Sequence, residues 1–305
     1  MSVTIAEYLG KRTDVNTPVI TPIRKQRNIP CHFMNAPCDK ISRGDKPICS
    51  VRKNGKTLWI VCRHRLCATT KNIPLSDYQK NILLSVAKKV FGSSIQPENV
   101  LIKREAPMHV SGRSTYKADF VMVDNSSNPS HMGPRKAVLE MQGGGETSAT
   151  GNITRHVEAW ARSRNRSNQQ LSRLISGVGT IETNAWRRQQ EQFLIKGRIA
   201  MQTGSGCGII FCVGTLLYDY LLSRTNTASL RDLRQHNWTL ALLSFKEKAP
   251  ISAQAAGPID LVLDDTRALF TDYQAFVRVI ADVGNPSPDT FSGAFETLAG
   301  RTVNL

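Results

Sequence analysis

Asp119 opens the apolar run Asp119-Phe120-Val121-Met122-Val123, and roughly twenty residues later Glu140 and Gln142 stand two apart in Ala137-Val138-Leu139-Glu140-Met141-Gln142. In a strand successive side chains alternate faces, so Val138, Glu140 and Gln142 share one face while Ala137, Leu139 and Met141 share the other. A hairpin closed by the loop from Asp124 to Arg135, rich in Asn, Ser, Pro and Gly, would set Asp119 beside Glu140. Two carboxylates and an amide gathered there make a hard-oxygen pocket suited to Mg²⁺. An edge strand with a polar solvent face would carry the same letters, so the elements around the pair must decide.

Those elements read as alternating helices and strands. Between Pro74 and Phe91 the apolar residues Leu75, Tyr78, Ile82, Val86 and Val90 recur at helical steps and stop at Gly92. A further helix is expected from Asn99 to Glu105, ended by Pro107, before the two strand candidates. Helices follow over 153–162 and 182–203, then strands over 208–213, 238–245 and 259–263, with helices over 216–223 and 266–283. The fold class is therefore α/β or α+β, with a mixed central sheet flanked by helices.

At 305 residues the chain can bury a full core. Its 40 Lys and Arg against 24 Asp and Glu give +16 and a pI near 9.8, which favours a polyanionic partner. No apolar stretch reaches the roughly 18 residues of a membrane span, and Met1 to Gly10 lacks the layout of a secretory signal, so a cytoplasmic protein with reduced thiols is expected. Cysteine usage then needs another reason. Cys31, Cys38, Cys49 and Cys62 are spaced C-x6-C-x10-C-x12-C, with Cys67 close behind. Such clustering predicts a tetrahedral metal site that orders a segment poor in large apolar residues; His32, His64 or Cys67 are possible replacements for one ligand. Buried small hydrophobes would be the alternative, and that is the expected role of Cys207 and Cys212.

Joined in this order, the pieces resemble the type II restriction endonucleases related to NotI. Cys31-His32-Phe33, Cys38, Cys49-Ser50-Val51 and Trp59-Ile60-Val61-Cys62 are similar to that family's metal-binding fold, and the resemblance selects Cys62 over Cys67 as fourth ligand. Val138-Leu139-Glu140-Met141-Gln142 looks like its Leu-Glu-x-Gln variant of the PD-(D/E)xK nuclease motif, with Asp119 as the first acid. Glu105, fourteen residues before Asp119, matches an additional helix-borne carboxylate. Asn184-Ala185-Trp186-Arg187-Arg188 onward is similar to the basic helix that follows the active site. The likeness runs from about residue 31 to about residue 280, with shorter cysteine spacings and with Gly143-Gly144-Gly145 where a side-chain-rich segment belongs.

The prolines and the basic cluster of residues 1–30 read as a basic extended arm; a four-cysteine module is expected over 31–70 and, with the resemblance, a PD-(D/E)xK core over 71–285, followed by a tail over 286–305. The resemblance implies a bacterial cytoplasmic homodimer with structural iron or zinc, paired with a cognate DNA methyltransferase, that cuts a GC-rich palindrome in double-stranded DNA with Mg²⁺. Asp119 and Glu140 would hold the Mg²⁺, Glu105 would assist, and Gln142 would position water without adding charge. Arg24, Lys25 and Arg27 on the arm, Arg162, Arg164 and Arg166, and Arg187, Arg188 and Arg198 are the candidate DNA contacts. Two competitors remain: a repair or recombination nuclease without base recognition, and a zinc-binding DNA-binding protein without catalysis.

Overall fold

Period-two burial along one set of segments and helical periodicity along another divide the chain into sheets and their covering helices. The structure, a computed structural model, describes residues 1–15, 18–23, 28–68, 72–110, 115–203, 206–248, 257–282, 284–285 and 287–304. The chain opens with β1 (Ser2–Tyr8), β2 (Lys11–Arg12), the turn α1 (Asp39–Ser42) and the hairpin β3 (Ile48–Lys53) and β4 (Thr57–Ile60). Helix α2 (Asp77–Phe91) leads into the meander β5 (Val100–Met108), β6 (Tyr116–Asp124) and β7 (Lys136–Gln142). Next come α3 (Thr150–Arg162), α4 (Asn168–Leu171) and β8 (Ile175–Ser176). A long helix is then built from α5 (Glu182–Glu191), a π-helical turn (Gln192–Lys196) and α6 (Gly197–Gln202). The chain continues through β9 (Cys207–Gly214), α7 (Thr215–Ser223), β10 (Leu240–Glu247), β11 (Leu261–Thr271) and α8 (Tyr273–Ala281).

Among the described residues, the larger sheet has the order β11-β10-β9-β7-β6-β5. Strands β7, β9 and β10 run parallel and the remaining pairs are antiparallel. Helix α2 covers one face: Ile82, Leu83, Val86 and Val90 pack with Phe120, Met122, Leu139 and Ile210. A capping box starts it, with Ser76 accepting from the Gln79 amide at 3.2 Å and the Gln79 side chain accepting from the Ser76 amide at 3.0 Å. The opposite face packs Val138, Ile209 and Phe211 against Trp186, Phe193, Leu217 and Phe276 of the later helices. The fold is thus mixed α+β with helices on both sides of the sheet.

The smaller sheet has the order β2-β1-β3-β4, with β8 also on β1. It is tied to the rest through Glu7 and Arg65, both fully buried, with Arg65 Nε 3.0 Å from Glu7 Oε2. Ser50 Oγ donates to the same carboxylate at 2.5 Å, and the Ile259 amide donates to it at 2.8 Å. Arg65 also donates to the Tyr78 hydroxyl and to the Ile259 carbonyl, and its guanidinium lies over the Phe33 and Tyr78 rings at 4.7 and 5.4 Å. Burial alone would favour neutral Arg65; the charge of Glu7 outweighs it and holds the cation.

Four expectations need correction. Residues 1–30 are not an extended arm throughout, because Ser2–Tyr8 is a buried strand pairing with β2, β3 and β8; Arg24, Lys25 and Arg27 lie outside the described residues. The cysteine segment therefore does not end its sheet within residues 31–70 but borrows β1 and β8. The helix expected from Asn99 to Glu105 is strand β5, and Pro107 fits there because an edge strand has unpaired positions where no N–H is needed. The helix expected from Thr266 begins only at Tyr273, where Asp272 caps the Ala275 amide at 2.9 Å, and β11 fills the residues before it. Over the expected tail, Ala294–Glu296 and Thr302–Asn304 pair as an exposed hairpin. No helix among the described residues is long and apolar enough to cross a membrane.

Candidate active site

Register places the acids together. Phe120 pairs with Leu139, so Asp119 arrives beside Glu140 at the end of the β6 and β7 ladder. There the Asp119 carboxylate replaces a ladder acceptor: Oδ2 takes the Met141 amide at 2.9 Å. Glu140 is buried, with Oε2 2.7 Å from Lys196 Nζ, while its Oε1 is buried without a hydrogen-bond partner. Lys196 ends the π-helical turn, so the long helix supplies a cation to the strand-borne acids.

Burial pushes Glu140 up to about 8, the neighbouring Asp119 charge adds to the rise, and Lys196 opposes it. Asp119 is raised in the same way by burial, with the Met141 amide and Lys196 pulling it down and Glu105 pushing it up. Glu105 therefore lies within electrostatic reach of Asp119. It does so from strand β5 rather than from a helix, in a left-handed conformation with φ of 44°. Gln142 lies half-buried at the end of β7, two residues beyond Glu140. Beside the acids a cavity of about 220 Å³ is lined by Tyr116, Arg188, Glu191, Gln192, Ile195 and Lys196.

The three glycines after Gln142 have a steric cause. A Cβ on Gly143 would stand 2.9 Å from Ile60 Cγ2, and one on Gly144 would fall inside the Trp59 indole. The β3–β4 hairpin thus lies directly on the segment leaving β7. Gly145 donates to the Ile60 carbonyl at 2.8 Å, and Trp59 Nε1 donates to the Glu146 carbonyl at 2.9 Å. The Glu146 side chain in turn accepts from Asn184 at 2.9 Å and from Arg188, and Lys53 of β3 reaches Glu182 at 2.6 Å. Both ends of this contact network hold the helix that carries Lys196. Gly144→Ala is expected to lower unfolding stability by about 1–3 kcal/mol through overpacking. Adding Trp59→Ala should recover part of that loss in urea denaturation; fully additive costs would show that the two residues do not meet.

Cys31, Cys49 and Cys62 pack around Phe33 as free thiols. Burial pushes Cys31 up to about 11, and Cys62 and Cys38 add to the shift; Cys49 and Cys62 are raised by burial too. Backbone amides point at the sulfurs, Gly10 at Cys49 over 3.3 Å and Phe33 at Cys31 over 3.4 Å. Cys67 packs instead with Leu66 and Ile82, and Cys207 and Cys212 are buried in β9. Among the described residues no three His, Cys, Asp or Glu side chains are drawn close enough to grip one ion.

Of the arginines, Arg187 and Arg198 are exposed on the long helix, and Arg188 is held by Glu146. Arg162 ends α3 in an ion pair with Glu158 at 3.5 Å, and Arg164 and Arg166 occupy the turn that follows. Nothing in the letters singles out Lys196 from the other basic residues of the 182–203 helix, because no motif marks a π-helical turn. Tyr116, three residues before Asp119 at the start of β6, carries no motif that would have marked it either. Compared with models of known protein families the chain matches none, and it matches no curated protein.

Proposed function

We propose that this chain is a Mg²⁺-dependent endonuclease acting on double-stranded DNA, with the PD-(D/E)xK core of the NotI-like restriction endonucleases that its sequence resembles. The observation that carries this reading is the Asp119–Glu140 pair, adjacent, each raised by burial, and leaving one buried Glu140 oxygen without a partner. Such an orphan acceptor calls for a cation, and the donors fit a hard dication. Asp119 and Glu140 would hold Mg²⁺ with the Met141 carbonyl, and Glu105 stands near enough to act on the same charge. When bound, the ion supplies a more acidic water and stabilises charge on the phosphate.

The chain's own groups do the rest. Asp119 is kept oriented by the Met141 amide, and neutral Gln142 can hold an attacking water by hydrogen bonding without adding charge. A mixed sheet with helices on both faces and a net charge of +16 support a nuclease over a metal-binding module alone. The resemblance, together with backbone amides aimed at Cys49 and Cys31, supports a structural iron or zinc on Cys31, Cys38, Cys49 and Cys62, which would have to draw these thiols closer than they stand without it. The resemblance extends the proposal to a homodimer, a palindromic site and a partner methyltransferase.

Digestion of plasmid DNA with and without Mg²⁺ tests this. Discrete fragments formed only with Mg²⁺ are expected. A smear of products would favour a repair nuclease without base recognition, and intact plasmid in both lanes would overturn the nuclease reading.

A further inference from the structure

We infer that Lys196, aimed by the π-helical turn, is the phosphate-binding cation of this site, an inference that rests on the nuclease reading above. Its ammonium is 2.7 Å from Glu140 Oε2, and the same side chain lines the cavity of about 220 Å³ beside the acids. Lys196 therefore borders both the buried Glu140 carboxylate and the open space where a phosphodiester would lie. It is also the cation that acts on both Asp119 and Glu140, while Gln142 at the end of the strand brings none.

The turn that delivers it is held from outside. An extra residue per turn breaks the regular helical hydrogen bonding and rotates everything beyond it by about 100°. Tyr273 of α8 compensates: its hydroxyl donates to the carbonyls of Phe193 and Leu194, at 2.9 and 3.0 Å. Gly197 makes room for the Tyr273 ring, which a Cβ at that position would overlap. On the other side Phe193 packs on Phe211 of β9, with centroids 3.7 Å apart. Irregular helix turns braced in this way are frequent at functional sites.

In hydrolysis the water oxygen bonds to phosphorus while the bond to the leaving oxygen breaks; the water's proton passes to solvent and the leaving oxygen takes one up. Negative charge meanwhile grows on the non-bridging oxygens. Lys196 touches one of them, giving up Glu140 for the phosphate when DNA enters. Its flexible four-carbon stem permits that exchange. A preorganised cation of this kind is worth about 10²–10³ in rate.

Four variants test the inference: K196Q, K196R, E140Q and E140Q/K196Q. K196Q should cut plasmid DNA at least about 100-fold more slowly in single turnover, and K196R should keep the rate within about tenfold of wild type. The double variant replaces both charges by neutral groups, so it tests the contact even where K196Q alone leaves Glu140 stranded and folds poorly. In metal-free buffer, binding of a linear duplex by E140Q/K196Q should show a salt slope smaller by about one than that of E140Q. Equal slopes, or wild-type cleavage by K196Q, overturn the role of Lys196 alone. A wild-type chain that never cuts with Mg²⁺ overturns the nuclease reading, and this inference with it.

Discussion

Glu140→Gln is expected to abolish Mg²⁺-dependent DNA cleavage, by at least about 10³-fold, while making the metal-free protein more stable above neutral pH. The first effect follows from the proposed metal-holding role of Glu140, whose unpartnered oxygen the glutamine would replace. The second follows from Glu140 itself, raised from its ordinary 4.5 to about 8 by burial and by Asp119. A carboxyl raised in the fold contributes stability that is fully present below about 4.5 and is lost as pH rises through about 8. Glutamine does not titrate, so the variant should lack that loss, which amounts to at most a few kcal/mol. Lys196 loses its partner but reaches the cavity, where solvent can take over. Urea unfolding at pH 5 and pH 8.5 without divalent ions measures the difference. A variant that is less stable than wild type at the higher pH, or that still cuts, would sink the assignment.

The largest effect on stability is expected from Arg65→Met. Glu7 and Arg65 are both inaccessible to solvent, and removing one partner leaves a buried charge with no counter-ion. Breaking such a pair costs about 3–5 kcal/mol, whereas replacing both members by apolar residues is often neutral. Arg65→Met should therefore fall far below wild type in denaturant unfolding, and Glu7→Leu combined with Arg65→Met should regain most of the loss. Ser50, Tyr78 and the Ile259 backbone would be left with fewer partners in the double variant, which keeps the recovery incomplete. A cost under about 1 kcal/mol for the single change would mean that water reaches the pair.

Local pattern carried a good part of this structure. The alternation in Lys136–Gln142 and the run before Asp124 sufficed to place Asp119 beside Glu140, because a period of two fixes which side chains share a face. Helical periodicity likewise located α2 and the long helix. Failures came where distant residues decide. Ser2–Tyr8 becomes a strand through partners near residues 50 and 175, and the triple glycine answers to Trp59, far upstream. Val100–Met108 has letters compatible with helix or strand, and its place at the sheet edge settles the matter. Lys196 was hidden for a different reason: one extra residue in a helix changes where a side chain points without changing any recognisable motif.

The position of Glu7 bears on how the chain is made. Its carboxylate takes a hydrogen bond from Ile259, 252 residues further along, and the strand that carries it also waits for Ile175 and Ser176. During synthesis the early strand therefore stays without its full set of partners until most of the polypeptide has left the ribosome, a slow route dominated by distant contacts. A product released early would carry Asp119 and Glu140 but not β9, the strand that flanks β7. Completion of the Asp119–Glu140 site is in this way tied to completion of translation.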